Sequence, residues 1–137
     1  MKVGDLVKRS PITVNERSSI REAAKVMSSN RIGLLVVTDS RGEIKGVVSE
    51  RDIVKAVARG EDLDLSVMRI ATKNVISLER DAGIEKAAHL MSENRIRHLV
   101  ITEKGKLYGV ISVRDIVEDE RFIKAIANFF QSIDKNA

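Results

Sequence analysis

Apolar positions along the chain switch between two periods. Ile20, Ala23, Ala24 and Met27 fall at i, i+3, i+4 and i+7, one face of a helix, and Ser19-x-x-Glu22 is a capping box that would open it. Ahead of this stripe, Ile12-Thr13-Val14 reads as a short extended segment. Behind it, the β-branched runs Leu34 to Thr38 and Ile44 to Val48 flank a glycine-containing turn and predict a hairpin. Their apolar residues are consecutive rather than alternating, which predicts a sheet buried on both faces. A second helix is expected from Glu50 to about Arg59, stopped by Gly60.

The whole succession is then written again. Ile20, Ala23, Ala24, Met27, Asn30, Arg31 and Ile32 return as Ile84, Ala87, Ala88, Met91, Asn94, Arg95 and Ile96, at a constant offset of 64. An extended segment, Val75 to Leu78, precedes this copy, and the hairpin runs Leu99 to Thr102 and Leu107 to Ile111 follow it. One residue is lost between the runs, where Glu103-Lys104-Gly105 replaces Asp39-Ser40-Arg41-Gly42, and turns tolerate such deletions. Thereafter Gly46-Val47-Val48-Ser49-Glu50-Arg51-Asp52 recurs as Gly109-Val110-Ile111-Ser112-Val113-Arg114-Asp115, at an offset of 63. The chain is therefore a tandem duplication of a β-α-β-β-α unit, an α/β fold.

The expected segmentation is 1–64, 65–119 and a tail, 120–137. Units of about 60 residues are marginally stable alone, so the halves should pack against each other, and Glu61 to Leu65 is too short to let them part. The tail has no counterpart in the repeats. Phe122, Phe129 and Phe130 lie in it with Ile126 and Ile133 as a helical stripe that should pack on the module or on a second subunit.

Composition narrows the function. The 137 residues include no cysteine, which removes disulfides, thiolate metal sites and cysteine nucleophiles together. No signal-like or membrane-length apolar run is present, and the expected location is the cytoplasm. The net charge of +4 comes from 24 basic and 20 acidic residues interleaved throughout, and aromatic side chains for base stacking are sparse outside the tail. A nucleic-acid partner is thereby disfavoured, though the cluster Arg95-Ile96-Arg97-His98 keeps that alternative open. The two histidines stand on different elements and the glycines form no phosphate-cradling motif, so the chain is expected to be neither an enzyme nor dependent on a cofactor.

The doubled unit, the opening Ser10-Pro11-Ile12-Thr13-Val14, the Asn-Arg-Ile step before each hairpin and the closing Gly-x-x-Ser-x-Arg-Asp together resemble a pair of cystathionine-β-synthase (CBS) domains, from about Val3 to Val117. The resemblance implies two repeats packed through their sheets about a pseudo-twofold axis, with clefts for adenosyl ligands: AMP, ADP or ATP, with S-adenosylmethionine as the alternative. It implies ribose contacts at Ser49 and Asp52 and at Ser112 and Asp115, and phosphate contacts among Arg51, Arg97, His98 and Arg114. One cleft would join Ser10, Ile12, Ile32, Gly33 and Leu34 to Ser112, Arg114 and Asp115. The other would join Asn74, Ile76, Ile96, Arg97 and His98 to Ser49, Arg51 and Asp52. A stand-alone regulatory module follows, a homodimer that senses energy charge or ligand for an unidentified protein partner.

Plainer readings stand beside these. Ser49-x-x-Asp52 and Ser112-x-x-Asp115 are also capping boxes, and Gly46 and Gly109 can serve close strand-to-helix packing alone. Arg51 and Arg114 can pair with Glu50 and Glu118, His89 reads as a surface residue, and Met27 and Met91 read as core. A ligand-free scaffold docking through its tail is the remaining rival.

Overall fold

Each half builds the predicted unit. The first contains β1 (Thr13–Asn15), α1 (Ile20–Asn30), β2 (Leu34–Thr38), β3 (Ile44–Ser49) and α2 (Glu50–Ala58). The second contains β4 (Ser77–Glu79), α3 (Ile84–Asn94), β5 (His98–Glu103), β6 (Lys106–Ser112) and α4 (Val113–Val117), and a last helix, α5, spans Glu120–Asn136. The computed structural model describes residues 1–136, with side chains through residue 133. The strands form two sheets, ordered β1-β2-β3 and β4-β5-β6. In each, the helical crossover makes the first pair parallel and the hairpin makes the second antiparallel. The hairpins turn on Gly42 and Gly105, at φ of 80° and 79°, the positions around which the second copy is one residue shorter.

Burial follows strand order. Leu35, Val36 and Val37 of β2 and Leu99, Val100 and Ile101 of β5 are buried on consecutive positions, because these strands are central. The partners β3 and β6 lie at sheet edges and alternate instead: in β3, Val48 is buried while Lys45 is exposed. The expectation of burial on both faces therefore holds for one strand of each hairpin. The helical stripes are also narrower than predicted, with Ala24 half-buried and Ala88 exposed. Met27 and Met91 lie in the cores. Ser19 accepts a hydrogen bond from the Glu22 amide at 3.0 Å, one half of the expected box.

The cores exchange one element. A 3-10 turn at Val3–Leu6 lies not with the first repeat but in the second core, where Val3 and Leu6 join Leu78, Met91, Leu99, Ile101 and Ile111. Its counterpart at Val67–Arg69 seals the first core beside Val14, Met27, Leu35 and Val48. Backbone bonds hold both: Val3 N–H donates to Ala82 O at 2.9 Å and Val67 N–H to Ser18 O at 2.8 Å. The stretches that follow the turns must therefore cross from one repeat to the other.

Gly46 and Gly109 make room for these crossings. A Cβ on Gly46 would stand 2.9 Å from the Thr72 carbonyl oxygen, and one on Gly109 would overlap the Val7 side chain. Val47 and Thr72 exchange amide bonds of 3.0 and 2.9 Å at the same place. The glycines of the duplicated motif thus admit a crossing strand of chain rather than a helix.

At the other end, Phe122 is half-buried against the second core, and Arg121 bonds Asp119 at 2.9 Å and approaches Asp5 at 3.9 Å. The rest of the tail stripe is exposed on this chain, Phe129 by 62% and Phe130 by 59%. The first residues are also tied to the second repeat, since Ile84 N–H donates to Met1 O at 3.2 Å.

Candidate ligand-binding cleft

The first crossing segment leaves the second repeat at Val7, beside Gly109, and enters β1 of the first at Thr13. It walls a cavity of about 640 Å³ between the halves, within the usual size of small-molecule sites. Ser10, Pro11, Ile12, Ile32, Gly33 and Leu34 line one side, and Ser112, Arg114 and Asp115 line the other. That grouping is the first of the two predicted sets. The exchanged turn explains it, because a segment anchored in one repeat and paired in the other necessarily spans both.

The second predicted set is divided. Arg97 and His98 line this same cavity, while Asn74, Ile76, Ile96, Ser49, Arg51 and Asp52 do not. Strand register is the cause. His98 pairs with Ser112 across β5 and β6, and Val113 N–H donates to Arg97 O at 2.9 Å, so these side chains stay beside Ser112 and Asp115.

Both Ser-x-x-Asp boxes are formed. Ser49 N–H donates to Asp52 Oδ2 at 2.8 Å and Asp52 N–H to Ser49 Oγ at 3.2 Å. In the second copy the distances are 2.7 Å for Ser112 N–H to Asp115 Oδ2 and 3.2 Å for the return bond. Each cap engages one carboxylate oxygen, and a carboxylate has about four lone-pair sites, so capping leaves Asp115 able to accept further bonds. The cap and the ligand contact are compatible.

The lining is rich in cations. Lys8, Arg9 and Arg31 join Arg97 and Arg114, against the carboxylates Glu50 and Asp115. Arg31 owes its place to the end of α1, which it caps with a left-handed backbone at φ 53°. Arg114 stands 3.9 Å from Glu118, but both side chains are well exposed, a pair of little energetic weight and free to turn inward. Burial pushes the His98 imidazole below its ordinary value, opposed in part by the charges of Glu50 and Asp115 and assisted by Arg97. It is therefore neutral at pH 7. His89, by contrast, is exposed and lies 3.5 Å from Glu93 on α3.

Sequence reasoning passed over Lys8, Arg9, Arg31 and Glu50. The available signal was position: Lys8 and Arg9 directly precede the predicted wall, and Arg31 belongs to the repeated Asn-Arg-Ile step. A second groove, of about 330 Å³, is lined by Ile20, Ala24, Ile53, Val57 and Leu63 together with Arg21, Lys25 and Ser28, and contains none of the predicted site residues. Among the described residues no helix is long and apolar enough to cross a membrane.

The sequence profile of the CBS domain matches residues 3–59 and 67–120. The chain is 40% identical over 116 residues to an uncharacterized 17.7 kDa protein of Acidianus ambivalens, covering 84% of this chain and 70% of that one. It is 42% identical over 116 residues to the homoserine O-acetyltransferase of Methanosalsum zhilinae, covering 83% of this chain but spanning only 23% of that relative. Among solved structures, a CBS domain protein from Pyrobaculum aerophilum complexed with AMP superposes with a TM-score of 0.87 at 37% identity, covering 93% of this chain and 99% of that one. The CBS domain pair of protein MJ0100, in complex with 5′-methylthioadenosine and S-adenosyl-L-methionine, gives 0.79 at 29% identity, covering 85% and 93%.

Proposed function

The chain belongs to the CBS-domain family as a tandem pair, and from that premise we propose that its cleft binds an adenine nucleotide (AMP, ADP or ATP) and that occupancy regulates a protein partner. The observation that carries this reading is the convergence, on one cavity, of the Ser112-Asp115 box, the apolar wall Ile12, Ile32 and Leu34, and five cationic side chains. A carboxylate accepting from a ribose cis-diol makes charge-assisted bonds of about 1.5–3 kcal/mol each. Arg97 and Arg114 are suited to clamp phosphate bidentately. The AMP complex of the Pyrobaculum relative supports the same ligand class. A ligand in this cleft touches both repeats, so it biases any packing of the halves that it binds unequally. Exposed Val54, Val57, Val117 and Phe129 support association of two copies.

Glu50 in the lining and the MJ0100 complex favour S-adenosylmethionine as the second reading. Calorimetric titration of AMP, ADP, ATP and S-adenosylmethionine into the wild type, Asp115→Ala, Asp115→Asn and Asp52→Ala tests both. Asp115→Ala is expected to weaken the working ligand roughly 10–100-fold. Asp115→Asn keeps a cap acceptor and lowers affinity without unfolding α4, while Asp52→Ala leaves this cleft unchanged. A folded protein that gives no heat with any of the four ligands overturns the proposal.

A further inference from the structure

The two repeats differ at the point where they meet inside the cleft. In the first repeat Glu50 N–H donates to Gly33 O at 3.0 Å, and in the second Val113 N–H donates to Arg97 O at 2.9 Å. The bonds are copies of one another, but the side chains are opposite in kind. Glycine and glutamate on one side face arginine and valine on the other. Because Gly33 has no side chain, the Glu50 carboxylate folds back over it: the point a Cβ would occupy lies 2.5 Å from Glu50 Oε1 and 3.0 Å from His98 Cε1. Glu50 and His98 thus crowd the same space, and both line the cavity that holds Asp115.

We propose that Glu50 is a specificity-determining residue of the cleft, one that lowers its affinity for phosphorylated ligands relative to the uncharged nucleoside. This rests on the reading that Asp115 holds the ribose. His98 is the register partner of Ser112 and Glu50 lies beside His98 over Gly33, so a ribose held at Asp115 with its 5′ group turned toward the first repeat brings that group to His98 and Glu50. A phosphoryl group there gains Arg97 and meets a like charge at Glu50, whereas a hydroxyl meets no repulsion. Two like charges a few ångströms apart at a partly solvated site repel enough to change affinity by about tenfold. The effect is screened by salt. In the second repeat Val113 carries no charge, so the duplicated position supplies this repulsion from one side only.

The test compares adenosine with AMP, which share base and ribose, by calorimetric titration at low ionic strength into the wild type and Glu50→Gln. Glu50 is exposed at the first turn of α2, and thermal unfolding of the variant verifies that the fold is kept. AMP is expected to bind Glu50→Gln about tenfold more tightly while adenosine shifts by less than about twofold, a gain that shrinks in high salt. Glu50→Asp retains the charge and should stay close to the wild-type ratio. An unmoved AMP-to-adenosine ratio, or weaker AMP binding by Glu50→Gln, overturns the role given to Glu50. If the wild type binds neither compound, the nucleotide reading itself has failed and this inference falls with it; binding of both with an unmoved ratio defeats the inference alone.

Discussion

Leu6→Ala tests the exchange of turns between the cores. Leu6 is 1% exposed and packs among Leu78, Met91, Leu99, Ile101 and Ile111, all of the second repeat. Truncation removes its transfer energy and leaves a cavity walled by strands that cannot close on it, a loss of about 3 kcal/mol on the scale of buried leucine deletions. For a chain of this length that corresponds to roughly 10 °C in the melting temperature. It is a large share of the roughly 5–15 kcal/mol that holds a domain folded. Native-state hydrogen exchange locates the loss. Amides of Leu99, Ile101 and Ile111 should lose protection at least as much as those of Leu35 and Val48, although Leu6 is far closer in sequence to the latter. A loss under about 1 kcal/mol, or one confined to β2 and β3, would refute the assignment of the turn to the second core.

The crossings make a second prediction: Gly46→Ala meets the backbone oxygen of Thr72 and should cost about 1–3 kcal/mol in urea denaturation. Gly109→Ala meets the Val7 side chain first, so Val7→Ala in the same chain should recover part of its loss, a coupling that a double-mutant cycle reads directly. Because burial depresses the His98 pKa, the unfolded chain takes up its proton first as pH falls. The stability His98 contributes is full above about pH 6.5 and is lost as pH drops through the lower folded value, and His98→Asn should flatten the unfolding profile in that window. Phe122→Ala should lower the melting temperature measurably, whereas Phe129→Ala, at an exposed position of α5, should leave it nearly unchanged in dilute protein.

The duplication was legible because it is covalent: every repeated element could be read by aligning the chain with itself. Helices, hairpins, both Ser-x-x-Asp boxes and the shortened turn were all available that way. The turns Val3–Leu6 and Val67–Arg69 were visible as aligned residues, but one helical turn has no period to read, and nothing in Val3 or Leu6 says which of two similar cores it enters. The grouping of Arg97 and His98 with Ser112 and Asp115 has the same origin, since a two-fold pattern leaves open which copy of a strand faces which cleft. Register decides it, through the pairing of His98 with Ser112. Glu50 was hidden because its signal is a difference between the copies, and self-comparison rewards likeness. Only the emptiness of Gly33 beside it turns a solvent-seeking glutamate into part of the cleft.

The first residues of the chain and the start of α5 are moored to one repeat. Met1 accepts a bond from Ile84, Asp5 lies near Arg121, and Phe122 rests on the second core, so entry and exit share a small region of the surface. Mechanically, the first repeat hangs from the second like a pendant from a clasp. Force applied at Met1 and Phe122 would load the clasp and spare the pendant. The construction also suits transplantation: with Asp5 and Arg121 close together, the pair ended at Phe122 could be spliced into an exposed loop of a host protein without long connecting arms. Motion of the first repeat against the second would then reach that host through a single attachment.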